Sequence, residues 1–154
     1  TTVTAMVPHL RAKRELTVVT NGLYTANELS LLLPEITVLS TGGLLRYISF
    51  TYVGPTAEAF FDSFRGDKLF VSAMGLTLEA GLTDPNPLEA GVRARMQRAA
   101  GRVIALIDST KFGVTSLVQT ARADGVGTIV TDQGAPADMV SALRDLGVDV
   151  RIAP

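Results

Sequence analysis

With 154 residues, no cysteine and one histidine, the chain has the length of a single domain and lacks the thiolates that a disulfide framework, a cysteine nucleophile or a zinc cluster needs. Its 14 Lys+Arg against 15 Asp+Glu leave a net charge of −1, without the basic excess by which a duplex-binding domain displaces counterions. At 47% hydrophobic and 19% charged residues the chain is too apolar for disorder and suits strands buried on both faces, and no apolar run approaches the ~20 residues of a membrane-spanning helix.

In chain order, Val3, Met6, Val7 and Leu10 follow helical spacing, although Pro8 removes one helical hydrogen bond. No strand feeds this first helix, so the chain reads as a fragment, and without a basic stretch followed by an apolar one it is expected in the cytoplasm. Leu16 to Thr20 and Ile36 to Leu39 read as strands. Leu44 to Val53 (LLRYISFTYV) is long, aromatic and partly alternating, which predicts an edge or antiparallel strand able to pair subunits before Gly54 starts the next helix. Ala57, Phe60, Phe61 and Phe64 share a helical face, Lys68 to Ala73 is a strand, and a loop is expected from Met74 to Asp84, with DPNP at 84–87 the strongest loop signal. A helix through Leu88, Val92, Met96 and Ala99 follows, then strands at Val103 to Ile107 and Thr128 to Thr131. A helix through Met139, Val140, Leu143 and Leu146 opens near Pro136 and closes at Gly147, and a last strand runs from Val148 to Ile152. This alternation predicts one α/β domain over 1–154, a mostly parallel sheet flanked by helices.

Strand C-termini of a parallel sheet share one edge, where ligands bind. The loops there are Thr1-Thr2, Thr20-Asn21-Gly22, Thr41-Gly42-Gly43, Met74-Gly75 onward to Asp84, Asp108 to Lys111, and Thr131-Asp132. Thr1 and Thr2 at a helix N-terminus suit an anion, and a plain N-cap explains Thr2 as well. Gly42 and Gly43 allow close backbone approach to a ligand, or simply a tight turn. Lys111 in DSTKF follows a core strand and can pair with a phosphate or a sugar oxygen. Asp84 and Glu89 bracket the DPNP loop and can bond sugar hydroxyls, though the helix dipole also favours Glu89 where it stands. Arg46 can reach an anion, while Arg93, Arg95, Arg98 and Arg102 read as a solvated helix face. His9 is given no role.

Taken together and in order, TT at 1–2, TVVTNGL at 17–23, Gly42-Gly43 followed by Arg46, Val53-Gly54 followed by Ala57, DKLFVSAMGL at 67–76, DSTKFG at 108–113 and IVTD at 129–132 resemble the C-terminal sensor domain of DeoR-family transcriptional regulators over essentially the whole chain. The resemblance implies the fold of ribose-5-phosphate isomerase, a phosphorylated sugar or polyol as effector, no cofactor or metal, no membrane partner, assembly into a homo-oligomer, and DNA contact only through an N-terminal winged helix-turn-helix outside this chain. It makes Thr1 and Thr2 the tail of the family's D-S-G-T-T phosphate loop. It also places Asn21, Gly42, Gly43 and Arg46 on neighbouring loops, with Gly75 on the loop after its strand and Asp84, Glu89 and Lys111 around the sugar. Ser72 to Gly75 stand where the isomerases carry a D-G-A-D-E strand end, and they supply no carboxylate. A sensor, usually a repressor, is therefore expected rather than an enzyme. The alternative is a small aldose-ketose isomerase with Glu89 or Asp84 as base and Lys111 stabilising the enediolate, and a third reading is a dimerisation module built on the 44–53 strand.

Overall fold

A computed structural model of the chain describes residues 2–153, and the chain divides into two compact units, residues 1–63 and 64–154. In the first unit, helix α1 (Thr2–Ala5) gives way to a 3-10 turn at Val7–Leu10. The single helix expected from the spacing of Val3 to Leu10 is split because Pro8 has no N–H to donate and its ring crowds the preceding turn. Strand β1 (Leu16–Thr20) then pairs in parallel with β2 (Ile36–Ser40), Leu16 opposite Ile36 and Thr20 opposite Ser40, with α2 (Leu23–Ser30) as the crossover. Val7, Leu29, Leu32 and Ile36 form the buried cluster of this unit.

The segment at 44–53 is two strands instead of one. Strands β3 (Leu44–Arg46) and β4 (Thr51–Val53) pair antiparallel, Leu44 opposite Val53 and Arg46 opposite Thr51. Between them Phe50 takes a φ of 51° and its N–H donates to the Arg46 carbonyl at 2.8 Å. Alternation fits two arms as well as one long strand, and the turn holds no Gly, Asn or Pro to reveal it. Gly54, at φ 85°, then leads into α3 (Pro55–Phe60), whose first residue is a proline that needs no N–H partner.

The second unit contains a four-stranded parallel sheet in the order β11-β10-β8-β5, formed by β5 (Leu69–Val71), β8 (Val103–Leu106), β10 (Thr128–Thr131) and β11 (Asp149–Ile152). An antiparallel sheet β6-β7-β9 accompanies it, from β6 (Gly75–Thr77), β7 (Gly81–Asp84) and β9 (Val118–Ala121). The stretch from Met74 to Asp84, expected as a loop, is thus mostly a hairpin. Its turn closes where the Thr77 Oγ1 accepts the Ala80 N–H at 3.0 Å and Gly81 takes a φ of 65°. Leu76, Leu82, Ile107, Ile129 and Leu143 are fully buried in the core of this unit.

Two helices complete it. Helix α4 (Pro87–Ala99) starts at Asn86, whose Oδ1 accepts the Leu88 and Glu89 N–H groups, both at 3.1 Å. Helix α5 (Ala137–Asp145) ends at Gly147: the Val148 N–H reaches the Leu143 carbonyl at 3.1 Å and the Gly147 N–H that of Arg144 at 2.9 Å, the paired closure that a left-handed residue permits. Among the described residues no helix is long and apolar enough to cross a membrane.

Gly75 is held by its surroundings, since a Cβ there would stand 2.1 Å from the Val114 carbonyl oxygen. Gly75→Ala is expected to lower stability by about 1–3 kcal/mol through overpacking. Gly125→Ala, where the nearest atom to a Cβ is 3.9 Å away, is expected to stay within ~0.5 kcal/mol of the parent. Urea unfolding of the two variants checks both values.

Candidate functional site

In the first unit the parallel register ends β1 and β2 at one level, and the Thr41 N–H donates to the Thr20 carbonyl at 3.2 Å. Asn21-Gly22 and Thr41-Gly42-Gly43 therefore lie side by side at the strand C-termini. Thr20 Oγ1 accepts the Gly22 N–H at 3.0 Å, and the Asn21 Nδ2 donates to the Tyr52 carbonyl at 3.0 Å while the Asn21 carbonyl accepts the Tyr52 N–H at 2.7 Å. Asn21 thus fastens β4 to the end of β1. Gly42 and Gly43 sit at φ 63° and 111°. A Cβ at Gly43 would come 3.0 Å from the Val53 carbonyl oxygen and 3.3 Å from Ala57, whereas one at Gly42 would meet nothing within 4 Å. Gly43 is required by its neighbours, while Gly42 leaves backbone open to an approaching ligand atom. Arg46 lies on β3, half-buried. Thr2 begins the four-residue α1, whose Thr4 hydroxyl pairs with that of Thr25 on α2 at 2.8 Å, and Thr1 lies outside the described residues.

The remaining expected residues belong to the second unit. Gly75 is buried in β6 against the Val114 backbone. Asp84, at the end of β7, is 1% exposed, and the Arg93 guanidinium of α4 donates to its carboxylate. Arg93 is therefore no part of a solvated face: a buried carboxylate needs a cation and a donor, and Arg93 supplies both. Burial pushes the Asp84 carboxyl above its ordinary value, Arg93 and the Met74 N–H pull it back, and the charge of Glu89 in the first turn of α4 adds to the rise.

Lys111 ends a 3-10 turn, Ser109–Lys111, directly after β8. Its ammonium makes no ion pair with any described residue. Two carboxylates shape the turn. Asp108 Oδ1 accepts the Thr110 N–H at 3.1 Å and also the Thr110 hydroxyl, while Asp132, just past β10, accepts the Ser109 N–H at 2.7 Å and the Gly134 N–H at 2.8 Å. A Cβ on Gly134 would lie 2.6 Å from the Ser109 Oγ, so the two loops are in close contact. The Ser109 N–H, the Ser109 side chain and the Gly134 N–H hold the Asp132 carboxyl below its ordinary value.

Sequence reading placed Asp132 on a strand-end loop without giving it a task, and it missed Gly134 and the role of Arg93. The Asp-x-Gly spacing at 132–134 was the available signal, since aspartate commonly accepts the N–H two residues on. Chemically, the first unit's edge presents hydroxyls and glycine backbone with no carboxylate, which suits an anion. In the second unit Lys111 offers a cation beside hydroxyls, while Asp84, one of the two bases the isomerase reading named, is sequestered by Arg93, and Ser72 to Gly75 bring no acid. Among the described residues no group of His, Asp and Glu is gathered to hold a metal.

Comparison with known proteins bears on this arrangement. The family model described as the DeoR C terminal sensor domain matches residues 1–133. The chain is 35% identical over 99% of its length to the HTH-type transcriptional regulator GolR of Listeria innocua, covering 59% of that protein. It is 35% identical over 92% of its length to a putative aga operon transcriptional repressor of Escherichia coli O157:H7, covering 52% of it, and 37% identical over 71% to the HTH-type transcriptional regulator GlpR of Haloferax volcanii, covering 43%. The chain therefore spans between two fifths and three fifths of these curated relatives, all of which are named as transcriptional regulators.

Two side-chain changes test the electrostatics. Arg93→Met leaves a buried carboxylate unpaired and is expected to cost about 3–5 kcal/mol at neutral pH. Because the folded Asp84 binds its proton more tightly than the unfolded chain does, its contribution weakens the fold as pH rises above about 3.8, so the deficit of the variant should shrink in acid. Asp132 has the opposite sign: its contribution is full above 3.8 and disappears as pH falls through its lowered folded value. Asp132→Asn should accordingly flatten the acid limb of the stability profile, read by urea unfolding at several pH values between neutral and strongly acidic.

Proposed function

The chain belongs to the DeoR C-terminal sensor-domain family, and from that premise we propose that it is the effector-binding part of a transcriptional regulator whose ligand is a phosphorylated sugar or polyol. The observation that carries the reading is the edge formed by Asn21-Gly22 and Thr41-Gly42-Gly43. There, parallel strands end together, Gly42 leaves its backbone open, and the loop residues Asn21, Gly22, Thr41, Gly42 and Gly43 include no carboxylate to oppose an anion. We assign the phosphate to this edge, with Thr1, Thr2, Asn21, Gly42 and Gly43 lining it and Arg46 supplying charge. Considered by itself, the second unit is proposed to offer Glu89 and Lys111 as polar groups for a ligand, while Asp84 and Gly75 shape the elements that carry them.

Operator binding is assigned to a winged helix-turn-helix of the full-length regulator, outside this chain, which accords with the net charge of −1. Three relatives are named repressors, and repression relieved by ligand is the mode proposed here. Relief requires only that the ligand bind one arrangement of the regulator better than the other.

Thermal-shift and calorimetric titrations with pentose, hexose and glycerol phosphates, each beside its unphosphorylated parent, test the reading. At least one phosphorylated member is expected to bind, adding about 2.7 kcal/mol of stability at one hundred times its Kd, while its parent gives no shift. Arg46→Ala should weaken that ligand by roughly 10- to 100-fold, the loss of one hydrogen bond to a charged group. Equal binding of an unphosphorylated sugar, or no response from any member, overturns the phosphate assignment. Isomerase turnover abolished by Lys111→Ala overturns the non-catalytic one.

A further inference from the structure

Asparagine followed by glycine has a chemistry of its own. With no side chain on the next residue to obstruct it, the backbone nitrogen of that residue can reach the asparagine Cγ and displace the side-chain amide as ammonia. Of the three asparagines in the chain, Asn27 precedes Glu28 and Asn86 precedes Pro87, whose nitrogen carries no proton to lose, so Asn21 alone precedes glycine. Asn21 is half-buried, within reach of water.

The fold holds each group that this ring closure must move. The Gly22 N–H, on the nitrogen that attacks, donates to the Thr20 hydroxyl at 3.0 Å, and the Asn21 Nδ2, the group that leaves, donates to the Tyr52 carbonyl at 3.0 Å. Between them the Asn21 carbonyl accepts the Tyr52 N–H at 2.7 Å, and one residue on the Leu23 N–H takes the Phe50 carbonyl at 2.8 Å. Gly22 is itself fixed at the start of α2, bridged to Thr51 of β4 and accepting the Ala26 N–H at 2.9 Å. Turning the Asn21-Gly22 peptide toward the Asn21 Cγ therefore requires β4 to come away from the end of β1.

We propose that Asn21-Gly22 is a site of spontaneous deamidation, held off while β4 is docked and released when it opens. In the open state the Gly22 nitrogen forms a bond to the Asn21 Cγ, the Cγ–Nδ2 bond breaks, and the proton lost by Gly22 leaves, through solvent, on ammonia. Water then adds to either carbonyl of the cyclic imide. One C–N bond breaks, the nitrogen regains a proton, and position 21 becomes aspartate or its β-linked isomer. The reaction removes what held it back: the imide keeps neither the Gly22 N–H nor the Nδ2 donor. An aspartate then sets a carboxylate oxygen against the Tyr52 carbonyl, two acceptors with no proton between them. The new negative charge stands at the edge to which a phosphate is assigned, a consequence that rests on that assignment, whereas the site itself does not.

Incubation of the full chain in mildly alkaline buffer, folded and in guanidinium chloride, tests this, with the mass gain of amide to acid followed over time and localised by peptide mapping. Conversion is expected at Asn21, at least about 10-fold slower in the folded protein, where the reaction waits on local opening. Thr20→Val keeps the side-chain shape but removes the acceptor of the Gly22 N–H. It should speed the folded-state reaction by roughly 2- to 10-fold, the contribution of one hydrogen bond, and leave the rate in guanidinium chloride unchanged. Asn21→Asp should melt below the parent by circular dichroism. Equal rates in the folded and unfolded parent, or a mass gain that maps elsewhere, overturn the proposal whether or not Thr20→Val folds. A folded Thr20→Val that reacts no faster than the parent, or an Asn21→Asp that melts with it, overturns it as well. None of these readouts involves an effector, so a failure of the phosphate assignment leaves them unchanged.

Discussion

The ladder between β1 and β2 ends at one hydrogen bond, from the Thr41 N–H to the Thr20 carbonyl, and the backbone just past that rung has no strand left to pair with. Buried backbone groups must find partners elsewhere, and those they find organise the rest of the first unit. The Gly22 N–H turns back to the Thr20 hydroxyl, the Leu23 N–H takes the Phe50 carbonyl at 2.8 Å, and Asn21 takes both backbone groups of Tyr52. The 44–53 segment is thereby folded into a hairpin anchored at the end of β1. After β2 nothing comparable fills the space beside Gly42, which is why its backbone remains open.

The second unit meets the same requirement with carboxylates. Asp132 receives the N–H groups of Ser109 and Gly134, Asp108 those of its own turn, and Asp84 the guanidinium of Arg93. Three acids at or near strand ends, any of which resembles a catalytic carboxylate on paper, are thus committed to holding loops and a helix. Asp132, accepting the Ser109 and Gly134 N–H groups, is stabilised as the anion and is a poor base, and Asp84, buried under Arg93, is shielded from substrate. The chemistry left to these loops is that of hydroxyls, glycine backbone and Lys111, which favours recognising an anion over moving a proton.

How much of this was legible in the sequence follows from the range of each interaction. Strands such as Leu16 to Thr20 and Thr128 to Thr131, and the α5 helix with its closing Gly147, are written in local periodicity and appear where expected. The strand-end loops with Asn21, Gly42 and Gly43 were legible because glycine pairs and parallel-strand topology are local and general. The hairpins at 44–53 and 75–84 were not, since the first has no turn residue to mark it and the second alternates over only three or four residues per arm. Nor was the Asp84–Arg93 pair legible. It spans the end of a strand and the second turn of a helix, and helical periodicity placed Arg93 among its solvated neighbours because the carboxylate it serves lies outside the helix.

Asn21 joins the two surfaces of the first unit that matter most to the proposed function. On one side it borders Gly22 and the Thr41-Gly42-Gly43 loop, where a phosphate is assigned. On the other it holds Tyr52, the residue opposite Leu45 on β3. The ligand edge and the outer edge of β3 are then the two margins of one ribbon, in which Asn21 is hydrogen-bonded to Tyr52 and Tyr52 stands opposite Leu45 as a non-hydrogen-bonded pair of the β3-β4 ladder. A ligand that fits one position of Asn21 better than another then biases where β4 and β3 lie. Such a bias is limited to the difference in ligand affinity between the two positions, and the two Asn21–Tyr52 hydrogen bonds, one from the Tyr52 N–H at 2.7 Å and one from the Asn21 side-chain amide at 3.0 Å, leave little slack in which to lose it.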